Sequence, residues 1–134
     1  MKLESNPNTK KSIGFLGENI AGLFLESKGY KILARNYQKP WGEIDLIVEK
    51  EGVIVFCEVK TNSKKFPGPS VGGFDPELRV NSFKARHITR TAELLMNSCY
   101  AGESREWRID VIAITLDSFE RKARIKHFKN AVTG

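Results

Sequence analysis

The chain has 134 residues, 40% hydrophobic and 28% charged, the balance of one globular domain long enough to bury a single core. No run approaches the ~20 consecutive apolar residues of a membrane helix, so no membrane association by spanning helices is expected. The net charge of +6 leans towards an anionic partner, nucleic acid being the commonest, against the plainer reading of a basic, soluble protein.

The opening "MKLESNPNTKKSIGF" has basic residues but no apolar signal core, and reads as a mature, cytoplasmic N-terminus that frays over residues 1–11. Ile13, Leu16, Ile20, Phe24 and Leu25 then recur with a helix period, with Ser12 expected as N-cap and Gly29 as the stop. Tyr30–Tyr37 reads as a short strand, ended by "KPWG". Glu43–Glu49 and Val53–Lys60 read as two more strands, joined in a hairpin by "KEG". Residues 61–76, rich in Gly, Pro, Ser and Lys, read as a long mobile loop of the kind that is functional or disordered. Asp75-Pro76 has the form of an N-cap and first helical residue. The helix it opens is expected to run to about Ser98, with Val80, Ile88, Thr91 and Leu95 facing inward. "EWRIDVIAITL" and "KARIKHFK" supply two final strands. The order α-β-β-β-α-β-β predicts an α/β or α+β fold with a mixed sheet, in which the strand after the second helix returns parallel to an earlier one. No repeat or compositional break divides residues 1–134, so a single domain is expected. Cys57 and Cys99 lack any Cys-x-x-Cys spacing or His cluster, and both read as small buried apolar residues rather than zinc ligands.

Within "GEIDLIVEKEGVIVFCEVK" the apolar runs carry acids. Strand alternation places Asp45 on a face with Glu43 and Ile47, and Glu58 and Lys60 on a face with Ile54 and Phe56. A turn centred on Glu51-Gly52 sets Asp45 opposite Glu58, with Cβ atoms ~5 Å apart. A shift of one residue would instead oppose Asp45 to Cys57 and separate the acids. Paired carboxylates repel unless neutralised, and a hard divalent cation such as Mg²⁺ does this with one or two carboxylates and water. Lys60 beside them could orient a water and stabilise a developing anion, a combination that suits attack on a phosphodiester. The competing reading is an exposed strand face of solvated ion pairs. Ile47, Ile54 and Phe56 on the same face count against it.

On these residues, and along the chain from "GFLGENIAGLFLESKGYKILARNY" to "WRIDVIAI", the sequence closely resembles the YraN-type family of small uncharacterised proteins. That family is related to the Holliday-junction resolvases and the PD-(D/E)xK nuclease superfamily. The resemblance implies a restriction-endonuclease-like three-layer core with a central mixed five-stranded sheet, a Mg²⁺- or Mn²⁺-dependent endonuclease activity, and a nucleic-acid substrate, DNA first, with branched or structured DNA among the candidates. It implies that Asp45 and Glu58 bind metal, that Lys60 assists catalysis, and that Glu18 of the first helix completes the site. By position alone Glu18 falls at the margin of the helix's apolar face, and a solvated carboxylate is an equal alternative. The role of Glu43 stays open. Where the family pattern continues from Glu-x-Lys into Thr-Arg, this chain reads "KTNSKKF", which displaces a basic residue to Lys64 or Lys65.

Arg79, Arg86 and Arg90 form one stripe of the second helix that could track phosphates without reading bases, or simply be a solvated face. Lys84 projects near the inward face, where a lysine needs a partner or a route to solvent, and the resemblance gives it a supporting role near the site. Lys64 and Lys65 are further candidate phosphate contacts. His87 reads as a packing residue, and Tyr30, Tyr37 and Trp41 as core aromatics too scattered for a stacking platform. Arg108 and Asp110 share a strand face and are expected to pair structurally. The alternative to a nuclease is a non-catalytic nucleic-acid-binding protein of the same fold. A homodimer would suit a two-stranded substrate.

Overall fold

A computed structural model describes residues 10–64 and 82–131, apart from the side chains of Lys10 and residues 82–84. Of the fray expected over residues 1–11, residues 1–9 lie outside the described residues, as do the loop and helix start over 65–81, while Lys10 and Lys11 are helical. Helix α1 spans Lys10–Ser27, strands β1 Lys31–Lys39, β2 Gly42–Lys50 and β3 Val53–Lys64, helix α2 Ser82–Cys99, and strands β4 Trp107–Asp117 and β5 Lys122–Phe128. The strands form one five-stranded sheet in sequence order. β3 and β4 run parallel, and the other neighbours are antiparallel. The predicted element order and the parallel return after α2 are both present. Among the described residues no helix is long and apolar enough to cross a membrane.

The sheet is buried on both faces, which makes the fold an α/β three-layer sandwich. On one face, Ala21 and Leu25 of α1 pack with Leu46, Val48, Val55, Cys57, Ile112 and Ile114. On the other, Ile88, Ala92, Leu95 and Met96 of α2 pack with Ile47, Ile54, Phe56 and Ile109. Strands covered on both sides read as near-continuous apolar runs, which is why "LIV" (46–48) and "VIVFC" (53–57) are so uniformly hydrophobic.

Gly29 stops α1 as expected. Its φ is 91°, and Tyr30 N–H reaches back to the Leu25 carbonyl at 3.0 Å, the bond that closes a helix through a left-handed residue. Several boundaries differ from the reading of the sequence. α1 begins before Ser12, so Ser12 is a helical residue and not the cap. Leu16 is 48% exposed, because the stripe of α1 that meets the sheet centres on Ala21 and Leu25. β1 extends two residues past Tyr37, and β3 continues to Lys64, so the segment after Lys60 begins as strand rather than loop. It is held there by parallel pairing with β4 as far as Lys64↔Asp117. Cys57 is buried as expected, but Cys99, in the last turn of α2, is exposed.

A buried polar network ties the strand ends together. Asp110 is fully buried. Its carboxylate accepts Arg108 Nε at 2.9 Å and the Asn130 N–H at 2.8 Å, and lies 2.7 Å from His127 Nε2. Arg108 also donates to the Tyr30 hydroxyl at 3.0 Å. Burial alone would raise the Asp110 pKa, but the bonds from His127, Arg108 and the Asn130 amide outweigh it and hold the group below the usual carboxylate range. Arg108 and Asp110 thus pair as expected, within a larger network.

Candidate active site

The hairpin between β2 and β3 turns through Glu51 (φ 52°) and Gly52 (φ 82°). Two successive residues of positive φ make the two-residue turn whose twist suits a hairpin. That turn fixes the register from Lys50↔Val53 to Leu46↔Cys57. One further step along both strands would set Asp45 across from Glu58, but that pair is not in the ladder. There the ladder stops, and Asp45 Oδ2 instead accepts the Val59 N–H at 2.7 Å. Beyond this point β2 stays with β1, as far as Lys39↔Gly42, while β3 stays with β4 as far as Lys64↔Asp117. The sheet forks, and Asp45 sits where it parts.

A second irregularity coincides with the first. The β1–β2 ladder skips Asn36 and Asp45, and Asn36 has φ 49°. As a result Ile44 and Ile47, three positions apart, both pack in the α2 layer, as do Tyr37 and Ala34 opposite them. In a regular strand residues three apart point to opposite faces. This kink corrects the expectation that Glu43 shares a face with Asp45 and Ile47. With Ile44 in the α2 layer, Glu43 no longer alternates in step with Ile47, and its charge acts on Glu18.

Glu58 and Lys60 follow Ile54 and Phe56 along β3. Glu58 is only 4% exposed, and Lys60 Nζ lies 3.3 Å from its Oε1. The solvated-ion-pair reading therefore does not hold for these two residues. Glu58 is nearly shut off from water and Lys60 only partly, so the pair carries a desolvation cost that an exposed surface pair does not.

α1 delivers Glu18. A Cβ on Gly17 would overlap the Thr61 hydroxyl, so only glycine lets the helix backbone lie against β3 here. The next residue, Glu18, is held half-buried at the fork. Its pKa is raised above the ordinary value, first by burial and then by the charges of Glu43 and Glu58, while Arg35 opposes the shift. Arg35 reaches across from β1, its guanidinium lying where a side chain on Gly22 would be. A helix carboxylate that feels two others and one guanidinium is not simply solvated.

Among the described residues, no group of three or more His, Cys, Asp or Glu side chains forms a ready metal cluster. Glu18, Asp45 and Glu58 are neighbours but not a closed three-ligand set, since Asp45 is turned to Val59 N–H and Glu58 to Lys60. The donors present are all carboxylate oxygens. That suits Mg²⁺ or Mn²⁺, which take one or two carboxylates and keep waters, and does not suit a closed zinc cage.

The basic candidates divide. Lys64 Nζ lies 3.4 Å from buried Asp117, at the end of β3. Asp117 also accepts the Phe119 and Glu120 N–H groups at the β4–β5 turn, so Lys64 clamps that end of the sheet. Arg86 and Arg90 are exposed on one face of α2. Lys84 lies in the first turn of α2, and Lys65, Arg79 and Val80 lie outside the described residues. Two expectations are corrected. His87 is exposed rather than packed inward, and Trp41 is 46% exposed rather than core. Trp41 rides on a turn that Gly42 docks against Thr91 of α2, outside both core clusters. Arg35 was not singled out from the sequence. Its approach to α1 follows the register shift between Ile32 and Ala34, which puts Ile32 in the α1 layer and Ala34 in the α2 layer and which no local motif announces.

The sequence matches the model of a family described as "Uncharacterised protein family UPF0102" over residues 17–114. It is 40% identical over 124 residues to a UPF0102 protein of Alkaliphilus oremlandii, covering 90% of this chain and 97% of that one. A UPF0102 protein of Geobacter metallireducens is 37% identical, covering 90% and 92%. One from Chloroherpeton thalassium is 35% identical, covering 87% and 84%.

Proposed function

The chain belongs to the UPF0102 family, the YraN type, and from that premise we propose that it is a metal-dependent nuclease that hydrolyses phosphodiester bonds in nucleic acid, with branched or structured DNA as the first class to test. The observation that carries the proposal is the forked sheet. Its parting point collects Asp45, Glu58 and Lys60, with Glu18 brought in by a helix that Gly17 allows to approach. A Mg²⁺ or Mn²⁺ ion bound there would activate water and offset phosphate charge.

The protein's own part is positioning. Asp45 and Glu58 would hold the cation, Asp45 oriented by the Val59 amide. Lys60 is anchored by Glu58 and would hydrogen-bond the attacking water or a phosphate oxygen as negative charge develops on it. Glu18 would complete the acid set; burial first, and then the charges of Glu43 and Glu58, raise its pKa.

A panel of branched DNA, linear DNA and structured RNA, incubated with Mg²⁺ or Mn²⁺, tests the reading. Asp45→Asn and Lys60→Ala should each reduce cutting at least about a hundredfold, the size expected when one electrostatic contributor is removed. Cutting that is unaltered in both variants would sink it. The alternative, a non-catalytic nucleic-acid-binding protein, draws on the fact that the described carboxylates do not already close on one point. It predicts binding with a steep salt dependence and no metal-dependent cutting.

A further inference from the structure

We propose that the cleft between the β1–β2 turn and α2 is a subsite for an unpaired base, so that the protein engages nucleic acid through single-stranded nucleotides. This rests on the nuclease reading only in taking nucleic acid as the partner. Trp41, 46% exposed, stands in the cleft. Arg86, His87 and Arg90 of α2 line a hollow of about 390 Å³ with it. A second hollow of about 380 Å³ shares Trp41 and His87 and runs past Lys39 to Glu43.

The fold builds this arrangement in two steps. Gly42 sits so close to α2 that a Cβ there would overlap the Thr91 hydroxyl. That hydroxyl is buried and donates to the His87 carbonyl at 2.8 Å. The docked turn then holds the preceding residue, Trp41, against the exposed face of the helix. Arg86 and Arg90, four apart, project from neighbouring positions on that face. An indole with guanidinium groups beside it is what single-strand binders use: a π-face on which any base stacks, with cations for the flanking phosphates. A paired base keeps its faces stacked on its neighbours, so only an unpaired one can use such a platform. Apolar ligands without phosphate would leave the arginines unanswered. The other tryptophan, Trp107, packs edge-on against Phe56, with ring centroids 5.7 Å apart, and belongs to the core.

Binding of labelled twelve-nucleotide oligodeoxythymidine and of a blunt twelve-base-pair duplex, both in EDTA, tests the subsite. Wild type should bind the single strand with quenching of tryptophan fluorescence. Trp41→Ala should weaken that binding about tenfold or more, while Trp41→Phe stays within about threefold, because a phenyl ring still stacks. Duplex binding should change little. Equal loss for both oligonucleotides, or none for the single strand, overturns the proposal. Trp41 is outside the core clusters, so Trp41→Ala should melt as wild type does. Asp45→Asn, by contrast, should keep the single-strand binding while losing any cutting. A failed nuclease reading therefore shows as stacking without cleavage. A failed subsite shows as Asp45-dependent cleavage that Trp41→Ala leaves untouched.

Discussion

Glu18 carries the clearest electrostatic signature of the fork. Its folded pKa lies above the ordinary value of 4.5, through burial, Glu43 and Glu58. A carboxyl with a raised folded pKa favours the fold while protonated, and that contribution is lost as pH rises through the folded pKa. At pH 7 the ionised Glu18 thus opposes folding. Glu18→Gln is expected to raise the midpoint of thermal unfolding at pH 7, with the gain fading below about pH 4.5. A variant less stable than wild type at pH 7 would show that the glutamate is already compensated. The sequence placed Glu18 only at the margin of a helix face. What decides its environment is Gly17 against Thr61, a close approach between elements 44 positions apart that helix periodicity does not contain.

Among the elements, the β2–β3 hairpin was the most legible and the most consequential. "KEG" between apolar runs forecast the turn, and the Glu51-Gly52 centre forecast the register that the ladder adopts. What was not legible is that the ladder ends at Leu46↔Cys57 and that β2 kinks at Asp45. There Asp45 Oδ2 takes the Val59 amide, and Asn36 of β1 has a positive φ. Alternation rules, which assume a regular strand, therefore misplaced Glu43. α1 and β3 meet through the glycine that admits them. Gly17→Ala should destabilise the protein by about 1–3 kcal/mol, the usual cost of overpacking, with part of the loss recovered in a Thr61→Ala background. Chemical denaturation of the two single variants and the double variant measures this, and strictly additive losses would argue against the contact.

The molecule as a unit combines a regular three-layer frame with one place where the frame opens. Element order, parallel return and two-sided burial were readable because apolar runs and turn residues agree about them. Arg35, the exposure of Trp41 and the clamp between Lys64 and Asp117 were not, because each depends on which distant element covers a residue. The opening is where Asp45, Glu58 and Lys60 gather, and the proposed function makes it a site for a divalent cation. Calorimetric titration of Mn²⁺ into wild type and Asp45→Asn, with thermal unfolding followed alongside, puts that to the test. Wild type should bind saturably and gain about 2.7 kcal/mol of stability at a hundredfold excess over the dissociation constant, and Asp45→Asn should lose most of both. Equal heats and equal melting shifts in the two proteins, or none in either, would contradict the assignment.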